Sequence, residues 1–403
     1  MLRMNTSSVY RADIASTDAA NFTESAMARV ERFLARRSDH RETQLQSLPS
    51  LAQKSGVSAL YVKDESTRLS LGSFKALGGA YAVVDLVLGE AEKAMGRPVD
   101  FDEMDSDAVR KIAGTITVGC ATDGNHGKSV AAGAQLIGAN AVIFVHSGVT
   151  DERVNAIAAC GASIVRVEGT YDDSVAESDR VCREKGWRLV SDTSWPGYET
   201  IPAVVMQGYT AMLRETMRAL PEIPTHVFVQ AGVGGLAAAV AGYFSVVYGS
   251  ERPTLIVVEP DRAACLFESA VAGKAIKIKH GEPTIMAMLE CYEPSMVAWR
   301  IIERTVDAFE TIPEELAEQA MRTLANPLAG DPPIVAGESG AAGLAGFMAV
   351  LSEPGMAQQL DISARSRILL FNTEYATDRS RYAAIVGRNP EDVLGAGSAR
   401  GAS

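Results

Sequence analysis

Lys75 is the side chain in this sequence that best suits nucleophilic chemistry. It follows Phe74 at the start of a predicted helix, and Ser70 or Ser73 is the expected N-cap. A cation is unfavourable at the positive end of a helix dipole, so partial burial there should lower the pKa of the lysine amine. An amine with a lowered pKa can attack a carbonyl carbon and form a Schiff base. Most lysines at helix starts are only solvated, so Lys75 needs support from the rest of the chain.

A second polar cluster, CATDGNHG at 120–127, follows a predicted strand and precedes a predicted helix. Its glycines let backbone amides approach a ligand, and the helix start favours an anion. Asp123 and Asn125 add a carboxylate and an amide to this loop, whereas His126 is expected to have a structural role or to support the site residues from behind. An Asx turn would account for Asn125 alone and not for the density of polar groups.

A glycine-rich loop directly follows the predicted strand HVFVQ at 226–230. Its residues are Gly232, Val233, Gly234 and Gly235. Consecutive N–H groups at a helix start form a phosphate cradle. Dinucleotide-binding turns look similar, and Glu259 follows the next strand about where an adenosine-binding acid would lie, so a nicotinamide-dependent oxidoreductase is a competing interpretation. Thr373, in a loop after the last predicted strand, could place a hydroxyl on a ligand.

Strands alternate with helices along most of the chain, which predicts parallel βαβ units. The predicted strands are 115–118, 141–145, 164–167, 188–190, 226–230, 254–259 and 367–372. The predicted helices are 18–36, 76–88, 129–138, 152–160, 172–185, 206–218, 237–248, 314–324 and 339–351. Two open α/β lobes of this kind should bind a ligand between them, at the carboxyl ends of their strands.

The expected domains are interleaved in the sequence. A large domain takes residues 1–88 and 198–403, and a small domain takes 89–197. Residues 89–113 are charged and could form an insertion or a lid over the site. The Gly/Ala/Ser-rich residues 395–403 are expected to be a disordered tail.

The composition excludes several classes of partner. The 403 residues carry a formal net charge of −12, which argues against nucleic acid or anionic membrane as partners and is compatible with a cationic small substrate. No apolar run approaches a membrane span, and no signal-peptide core follows the first residues. Five cysteines without CxxC spacing predict no metal site, and reduced thiols in the cytoplasm are the default. Whether Cys265 and Cys291 form a disulfide is open.

Together these segments resemble the fold-type II pyridoxal-phosphate (PLP) enzymes, the group of tryptophan synthase β subunit, threonine dehydratase and cysteine synthase. SFKALGGA around Lys75, GNHG around Asn125 and GVGGL at 232–236 occur in the family's order. Within this family the chain is similar to the diaminopropionate ammonia-lyase branch, most specifically in DTSW…GYE…IP…MQGY at 192–209 and in Asp123 before GNHG. The resemblance implies an α/β fold with two open parallel-sheet lobes, PLP in the cleft between them, and a homodimer.

The same resemblance implies how PLP would be held. Lys75 would bind it as a Schiff base, with Phe74 beside it, and Asn125 would hydrogen-bond the pyridoxal 3-oxygen. The amides of 232–235 would bind the phosphate. Thr373 would face the pyridine nitrogen, which makes the ring a weaker electron sink than a carboxylate partner would.

The resemblance also implies a substrate and a reaction, the α,β-elimination of 2,3-diaminopropionate to pyruvate and ammonia. Lys75 would take the Cα proton from one enantiomer and Asp123 from the other, while Asp192 would bind or orient the cationic β-amino group. A dehydratase for serine, threonine or a related hydroxy amino acid is the alternative of the same fold, and Asp192 would then be unnecessary. A non-catalytic PLP-binding protein that keeps Lys75 is a further alternative.

Overall fold

The structure is a computed structural model that describes the backbone of residues 1–122 and 124–400 and, within these, side chains up to residue 395. Asp123 and residues 401–403 lie outside the described residues. The strands are β1 Leu2–Met4, β2 Leu45–Ser47, β3 Ala59–Asp64, β4 Thr117–Ala121, β5 Asn140–His146, β6 Ser163–Val167, β7 Arg188–Leu189, β8 His226–Gln230, β9 Thr254–Pro260, β10 Ala308–Ile312 and β11 Arg367–Asn372. The first helices are α1 Ser16–Ala19, α2 Glu24–Ala35, α3 Pro49–Lys54, α4 Lys75–Met95, α5 Asp107–Ala113, α6 Asn125–Ile137, α7 Asp151–Ala158 and α8 Tyr171–Lys185. They are followed by α9 Thr200–Ala219, α10 Gly235–Tyr248, α11 Cys265–Ala272, α12 Met296–Thr305, α13 Glu314–Ala325, α14 Ala342–Ser352, α15 Pro354–Gln359, α16 Arg379–Val386 and α17 Pro390–Arg400.

The first of two units comprises residues 1–22, 42–67 and 212–403. Its sheet has seven strands in the order β1-β10-β9-β8-β11-β3-β2, with β1 and β2 antiparallel at the edges and the inner strands parallel. Every residue of β8 is buried, as expected for a parallel strand covered on both faces. Since β8 and β11 are neighbours, the loops that follow them lie side by side at one edge of the sheet.

The second unit comprises residues 23–41 and 68–211. Its four strands have the order β6-β5-β4-β7, and all are parallel. Strands β4 and β7 pair directly, with Gly119 opposite Leu189. The loop after β4, which leads to Asn125, therefore lies beside the loop after β7, which carries Asp192.

Helices α4 and α6 of the second unit pack unusually closely because small residues line their contact. A Cβ added to Gly79 would lie 2.7 Å from Ser129 Oγ, and one added to Gly133 would lie 2.7 Å from the Cα of Ala80. Ser129 Oγ also accepts the N–H of Ala80 at 2.9 Å. This contact fixes the two helices whose first residues are Lys75 and Asn125.

Several predicted elements needed correction. The helix predicted over 76–88 runs from Lys75 to Met95 and ends at Gly96, whose φ of 67° suits a glycine. Residues 89–113 thus contain the end of α4, a 3₁₀ turn and α5, and Phe101 of that turn is 1% exposed. The helix predicted over 18–36 is interrupted before α2, which begins after the capping residue Thr23. Strand β10 was not predicted.

The domain boundaries at residues 88 and 197 stay a prediction; the contacts of the chain divide it after residues 22, 41, 67 and 211 instead. Helix α17 extends to Arg400 and so overlaps the predicted disordered tail, 395–403, of which residues 401–403 are outside the described part. Within the described ranges, each helix is too short or too polar to cross a lipid bilayer.

Candidate active site

Lys75 is the first residue of α4, as predicted, and its side chain contacts the Asp192 carboxylate. The residue before it, Phe74, occupies the N-cap position without a side-chain cap, while Ser73 Oγ accepts the N–H of Lys75 at 3.3 Å. The Lys75 ammonium donates a short hydrogen bond to Asp192 Oδ2. The side chains are 21% and 13% exposed, so solvent screens this ion pair only in part.

The Asp192 carboxylate is ionised in this setting. Burial by itself would raise its pKa, a protonated His126 would lower it, and the charge and hydrogen bond of Lys75 lower it below the usual value of 3.8. Burial also lowers the pKa of His126, so this imidazole is neutral at pH 7 and Lys75 is the cation that holds Asp192 ionised. An ionised carboxylate can attract a cation but cannot donate a proton.

His126 is the other side chain near Asp192 Oδ2. Its Nε2 lies 3.0 Å from the carbonyl oxygen of Val190, which can only accept a hydrogen bond, so Nε2 carries the proton. Nδ1 is then a bare acceptor, buried without a hydrogen-bond partner among the described residues and 4.0 Å from Asp192 Oδ2. The predicted structural role of His126 agrees with the Val190 contact.

Two tyrosines that the sequence reasoning did not select complete the surroundings of Lys75 and Asp192. Tyr198 Oη accepts the N–H of Ser191 at 2.9 Å and donates to the carbonyl of Leu189 at 2.9 Å, and so it fixes the turn that carries Asp192. Tyr209 packs its ring 4.8 Å from that of Phe74. The Tyr209 hydroxyl is buried and has no hydrogen-bond partner in the described part of the chain. Both residues belong to the DTSW…MQGY motif, which was the available signal.

Asn125 is the first residue of α6 and is 8% exposed. The turn before it is held by Thr122 Oγ1, which accepts the N–H groups of Gly124 at 3.0 Å and Gly127 at 3.1 Å. A Cβ on Gly127 would lie 2.2 Å from Thr122 Cγ2, so this loop needs a glycine there. Asp123 lies outside the described residues, and its predicted role stays a prediction.

The glycine-rich loop of the first unit connects β8 to α10, as predicted. A Cβ on Gly232 would lie 2.8 Å from Cys291 Sγ, and one on Gly234 would lie 2.9 Å from Ile302 Cδ1. Gly234 also has a φ of +98°, a conformation that other residues rarely adopt. Three of its four residues thus present only backbone at the start of a 14-residue helix, where N–H groups lack helical partners and anions bind favourably.

Thr373 lies beside this loop and is linked to it by Gln230, which the sequence reasoning missed. Gln230 Nε2 donates to Thr373 Oγ1 at 3.1 Å and also lies within hydrogen-bond distance of the carbonyls of Ser339, Gly340 and Phe371. The three carbonyls around Nε2 fix the orientation of the Gln230 side-chain amide, because the flipped amide would place its own oxygen against these carbonyl oxygens. Since Thr373 Oγ1 accepts from Gln230, its own proton can point to a ligand acceptor.

Other residues considered in the sequence have structural roles. The Glu259 carboxylate accepts the N–H groups of Leu266 at 2.8 Å and Phe267 at 2.7 Å, so it caps α11 and is committed to the protein backbone. Burial raises the pKa of Glu259 to about 8, although these backbone bonds oppose the shift. Cys265 and Cys291 are not joined by a disulfide. Among the described residues, no group of three or more His, Cys, Asp or Glu side chains could hold a metal ion.

Comparisons with known proteins agree with this geometry. The family model described as "Pyridoxal-phosphate dependent enzyme" matches residues 37–374. The chain is 37% identical over 372 residues to diaminopropionate ammonia-lyase of Escherichia coli strain K12, covering 91% of this chain and 92% of that protein. The crystal structure of the Escherichia coli enzyme with an aminoacrylate-PLP azomethine intermediate matches with a TM-score of 0.85 and 35% identity, over 96% of both chains. An L-threonine dehydratase of Haemophilus influenzae is 26% identical, covering 76% of this chain and 52% of that protein.

This chain therefore belongs to the PLP-dependent enzymes of fold type II, and its cofactor is pyridoxal 5′-phosphate. The fold-class and cofactor predictions are confirmed, and the nicotinamide alternative is wrong. The residues fit the cofactor: a lysine amine can bind its aldehyde, a glycine-rich loop at a helix start suits its phosphate, and the proton of Thr373 suits its ring nitrogen.

Proposed function

We propose that this chain catalyses the α,β-elimination of 2,3-diaminopropionate, as the D enantiomer, the L enantiomer or both, to pyruvate and ammonia. Its similarity to the ammonia-lyase of Escherichia coli supports the proposal, and one feature of its own site carries it. That feature is the ionised carboxylate of Asp192 in contact with Lys75.

The ionisation state of Asp192 favours an ammonium over a hydroxyl as the leaving group. When a protonated β-amino group departs, the C–N bond electrons stay on nitrogen and neutral ammonia leaves without a further proton. A β-hydroxyl group departs well only if an acid protonates it, and an ionised Asp192 cannot serve as that acid. The same carboxylate can hold a β-ammonium group in place by charge.

The roles of the other residues follow from their chemistry. PLP supplies the electron sink that lets the Cα–H bond of an amino acid break and the β-substituent leave. Lys75 must be a neutral amine to accept the Cα proton, and Asp192 then loses its cation, which a β-ammonium group can replace. We assign the Cα proton of the other enantiomer to Asp123, as the resemblance implies.

The remaining contacts hold the cofactor. The amides of Gly232, Val233, Gly234 and Gly235 would bind the phosphate, and Asn125 would donate to the ring 3-oxygen. Thr373, held by Gln230, would donate its proton to the ring nitrogen, which keeps that nitrogen unprotonated. Phe74, directly before Lys75, would contact the cofactor.

The test is kcat/KM for D- and L-2,3-diaminopropionate, serine and threonine, measured as pyruvate or 2-oxobutyrate and ammonia, for the wild type and Asp192→Asn. Removing one member of a buried charge pair costs about 2–5 kcal/mol, so we expect Asp192→Asn to lower kcat/KM for diaminopropionate about 30-fold or more. Any turnover of serine should change much less. Asp173→Asn, at an exposed capping box in the same unit, is the matched control and should keep full activity.

Two results would contradict the proposal. One is turnover of only the hydroxy amino acids by the wild type, which would favour the dehydratase alternative. The other is an equal loss for both substrate classes in Asp192→Asn, which would mean that this carboxylate positions Lys75 and does not recognise the leaving group.

We further propose that the enzyme is a homodimer in the cytoplasm. The family resemblance supports the dimer, and five cysteines without a disulfide are usual in a reducing compartment. Light scattering after size-exclusion chromatography of the PLP-loaded protein tests the first point, and cell fractionation of the natural host tests the second. A monomer, or activity outside the cytoplasmic fraction, would refute the corresponding statement.

A further inference from the structure

A cleft of about 600 Å³ lies in the first unit at the amino ends of β9 and β10. Thr254, the first residue of β9, and Asp307, directly before β10, both line it. The phosphate-binding loop follows the carboxyl end of β8, so it lies at the opposite edge of the same parallel sheet. Five residues of strand separate the two edges by about 17 Å. We call this region the amino-edge cleft.

Three arginines and two aspartates line the amino-edge cleft, and two of the arginines are paired with carboxylates: Arg252 with Asp307 and Arg304 with Glu303. Arg252 donates to Asp307 Oδ2 at 2.5 Å and to Oδ1 at 3.0 Å. The same carboxylate accepts the hydroxyl of Tyr10 and the N–H of Leu255. The acceptor sites of Asp307 are therefore occupied by the protein, and its charge is matched by Arg252.

Arg11 and Arg304 keep donor nitrogens without a hydrogen bond, although Arg304 forms an ion pair with Glu303 and Arg11 Nη2 lies 3.9 Å from Asp307 Oδ1. Arg304 Nη1 donates to the carbonyl of Arg300 at 2.8 Å and contacts Glu303. Its Nε and Nη2 have no hydrogen bond to any described residue. Arg11 Nε lies 3.1 Å from the hydroxyl of Tyr10, and its two terminal nitrogens likewise have no hydrogen bond within the described part of the chain. These nitrogens form two donor forks of the kind that bind carboxylate or phosphate oxygens.

Two independent observations point to a ligand at this place. The hydroxyl of Ser245, which lines the cleft, is buried and has no hydrogen-bond partner among the described residues. Arg11 has a φ of 64°, a left-handed conformation that is unfavourable for arginine. Its N–H donates to the carbonyl of Arg304 at 2.8 Å, which holds the two arginines together. Strained backbone of this kind is concentrated at ligand-binding sites.

We propose that the amino-edge cleft is a second binding site, distinct from the PLP site, for a small anion that carries a carboxylate or phosphate group. Arg11 and Arg304 bind its oxygens. Asp13, an exposed carboxylate that lines the same cleft, repels an anion and weakens its binding. The purely structural alternative is that Arg304, in the last turn of α12, only complements the helix dipole.

The experiment is isothermal titration calorimetry of the PLP-loaded protein with inorganic phosphate in one arm and malonate in the other. Saturated PLP blocks the phosphate-binding loop, and the cleft-arginine variants distinguish the amino-edge cleft from the place where the substrate carboxylate binds beside PLP; binding that neither variant weakens would overturn the proposal. A charge-assisted hydrogen bond from a guanidinium predicts about 10- to 100-fold weaker binding in Arg304→Gln and in Arg11→Gln. Arg11→Gln is the safer variant for folding, because the Arg11 side chain is 74% exposed.

Two further variants set the specificity of this test. Asp13→Asn removes the repulsive charge and should strengthen binding about 2- to 5-fold. Arg365→Gln removes an exposed arginine of the same unit that does not line the cleft, and it should leave binding unchanged. The two arms identify whether phosphate or carboxylate is the preferred group.

Saturable binding of either probe that weakens in both cleft-arginine variants supports the proposal. No saturable binding in either arm overturns it and leaves the helix-dipole role of Arg304. Equal weakening by Arg365→Gln would also overturn it, because the effect would then reflect net charge and not a site.

Discussion

The glycine at position 232 provides a sharp test of whether the loop at 232–235 binds the phosphate of PLP. In Gly232→Ala the new Cβ would lie 2.8 Å from Cys291 Sγ and 3.4 Å from the Cα of Leu289. The first distance is too short for any real contact, so the loop or the thiol must move. Overpacking of this size costs about 1–3 kcal/mol. If the cost falls on the bound form, PLP binds about 5- to 150-fold more weakly.

A double variant tells whether the Cys291 contact is the cause. Cys291→Ala alone removes the sulfur and should change PLP affinity by less than about twofold. Gly232→Ala with Cys291→Ala should recover most of the affinity, because the space of the sulfur accepts the new methyl group. Gly234→Ala is the contrast: its φ of +98° adds backbone strain of about 1–2 kcal/mol that no change of neighbour removes.

The assay is titration of the apoenzyme with PLP, followed by the visible absorbance band of the lysine-bound cofactor. Thermal unfolding of each apoenzyme separates a loss of affinity from a loss of folding. Wild-type affinity in Gly232→Ala would refute the assignment of this loop to the phosphate. A double variant as weak as Gly232→Ala would refute the steric reasoning about Cys291.

Three further predictions concern the buried polar groups of the first unit. Lys63→Met should lower the free energy of unfolding by about 3–5 kcal/mol, since it breaks a buried ion pair by removing the ammonium that lies 2.7 Å from the Glu215 carboxylate; denaturant unfolding measures this, and a loss below about 1 kcal/mol would contradict it. Glu310 is buried with neither oxygen bonded to a described residue, and burial raises its pKa well above 4.5. Its protonated form is therefore favoured in the folded state, so the stability of the protein should fall as pH rises above about 4.5. Glu310→Gln should reduce this pH dependence of the melting temperature between pH 5 and 8. A pH dependence equal to that of the wild type would contradict the prediction. Thr373→Val should weaken PLP binding about 2- to 12-fold through one lost hydrogen bond. The fold should persist, because Gln230 Nε2 keeps three carbonyl acceptors. Unchanged PLP affinity and an unchanged cofactor spectrum would argue against a contact between Thr373 and the ring nitrogen.

The sequence determined the class of fold because the relevant signals are local. The strands predicted at 226–230 and 367–372 have the bounds of β8 and β11, since a short apolar run between turn residues suits a buried parallel strand. Lys75 at a helix start and the glycines before α10 were found for the same reason. Each of these features depends on a few neighbouring residues, and the motifs occur along the chain in the order typical of the family.

Elements whose limits depend on packing were predicted less well. Helix α4 continues to Met95 because Gly96 ends it in a left-handed conformation, while the charged residues after 88 had suggested a break. Strand β10 was missed because its sequence, AFETI, contains a charged residue type, Glu310, in the middle of a short apolar run. Glu310 is buried there only because β10 lies between β1 and β9 in the sheet. Local composition does not indicate which polar residues the tertiary structure will bury.

The contacts that define the chemistry join residues far apart in the sequence. Lys75 and Asp192 are separated by 117 positions, and Gln230 and Thr373 by 143. The sequence alone supplied the residue types, and the resemblance supplied their roles. That Asp192 is ionised, that His126 presents a bare nitrogen to it and that Gln230 directs the proton of Thr373 were decided by the tertiary structure. Burial and the distance between charges set these properties, and both arise only when strands remote in sequence become neighbours in a sheet.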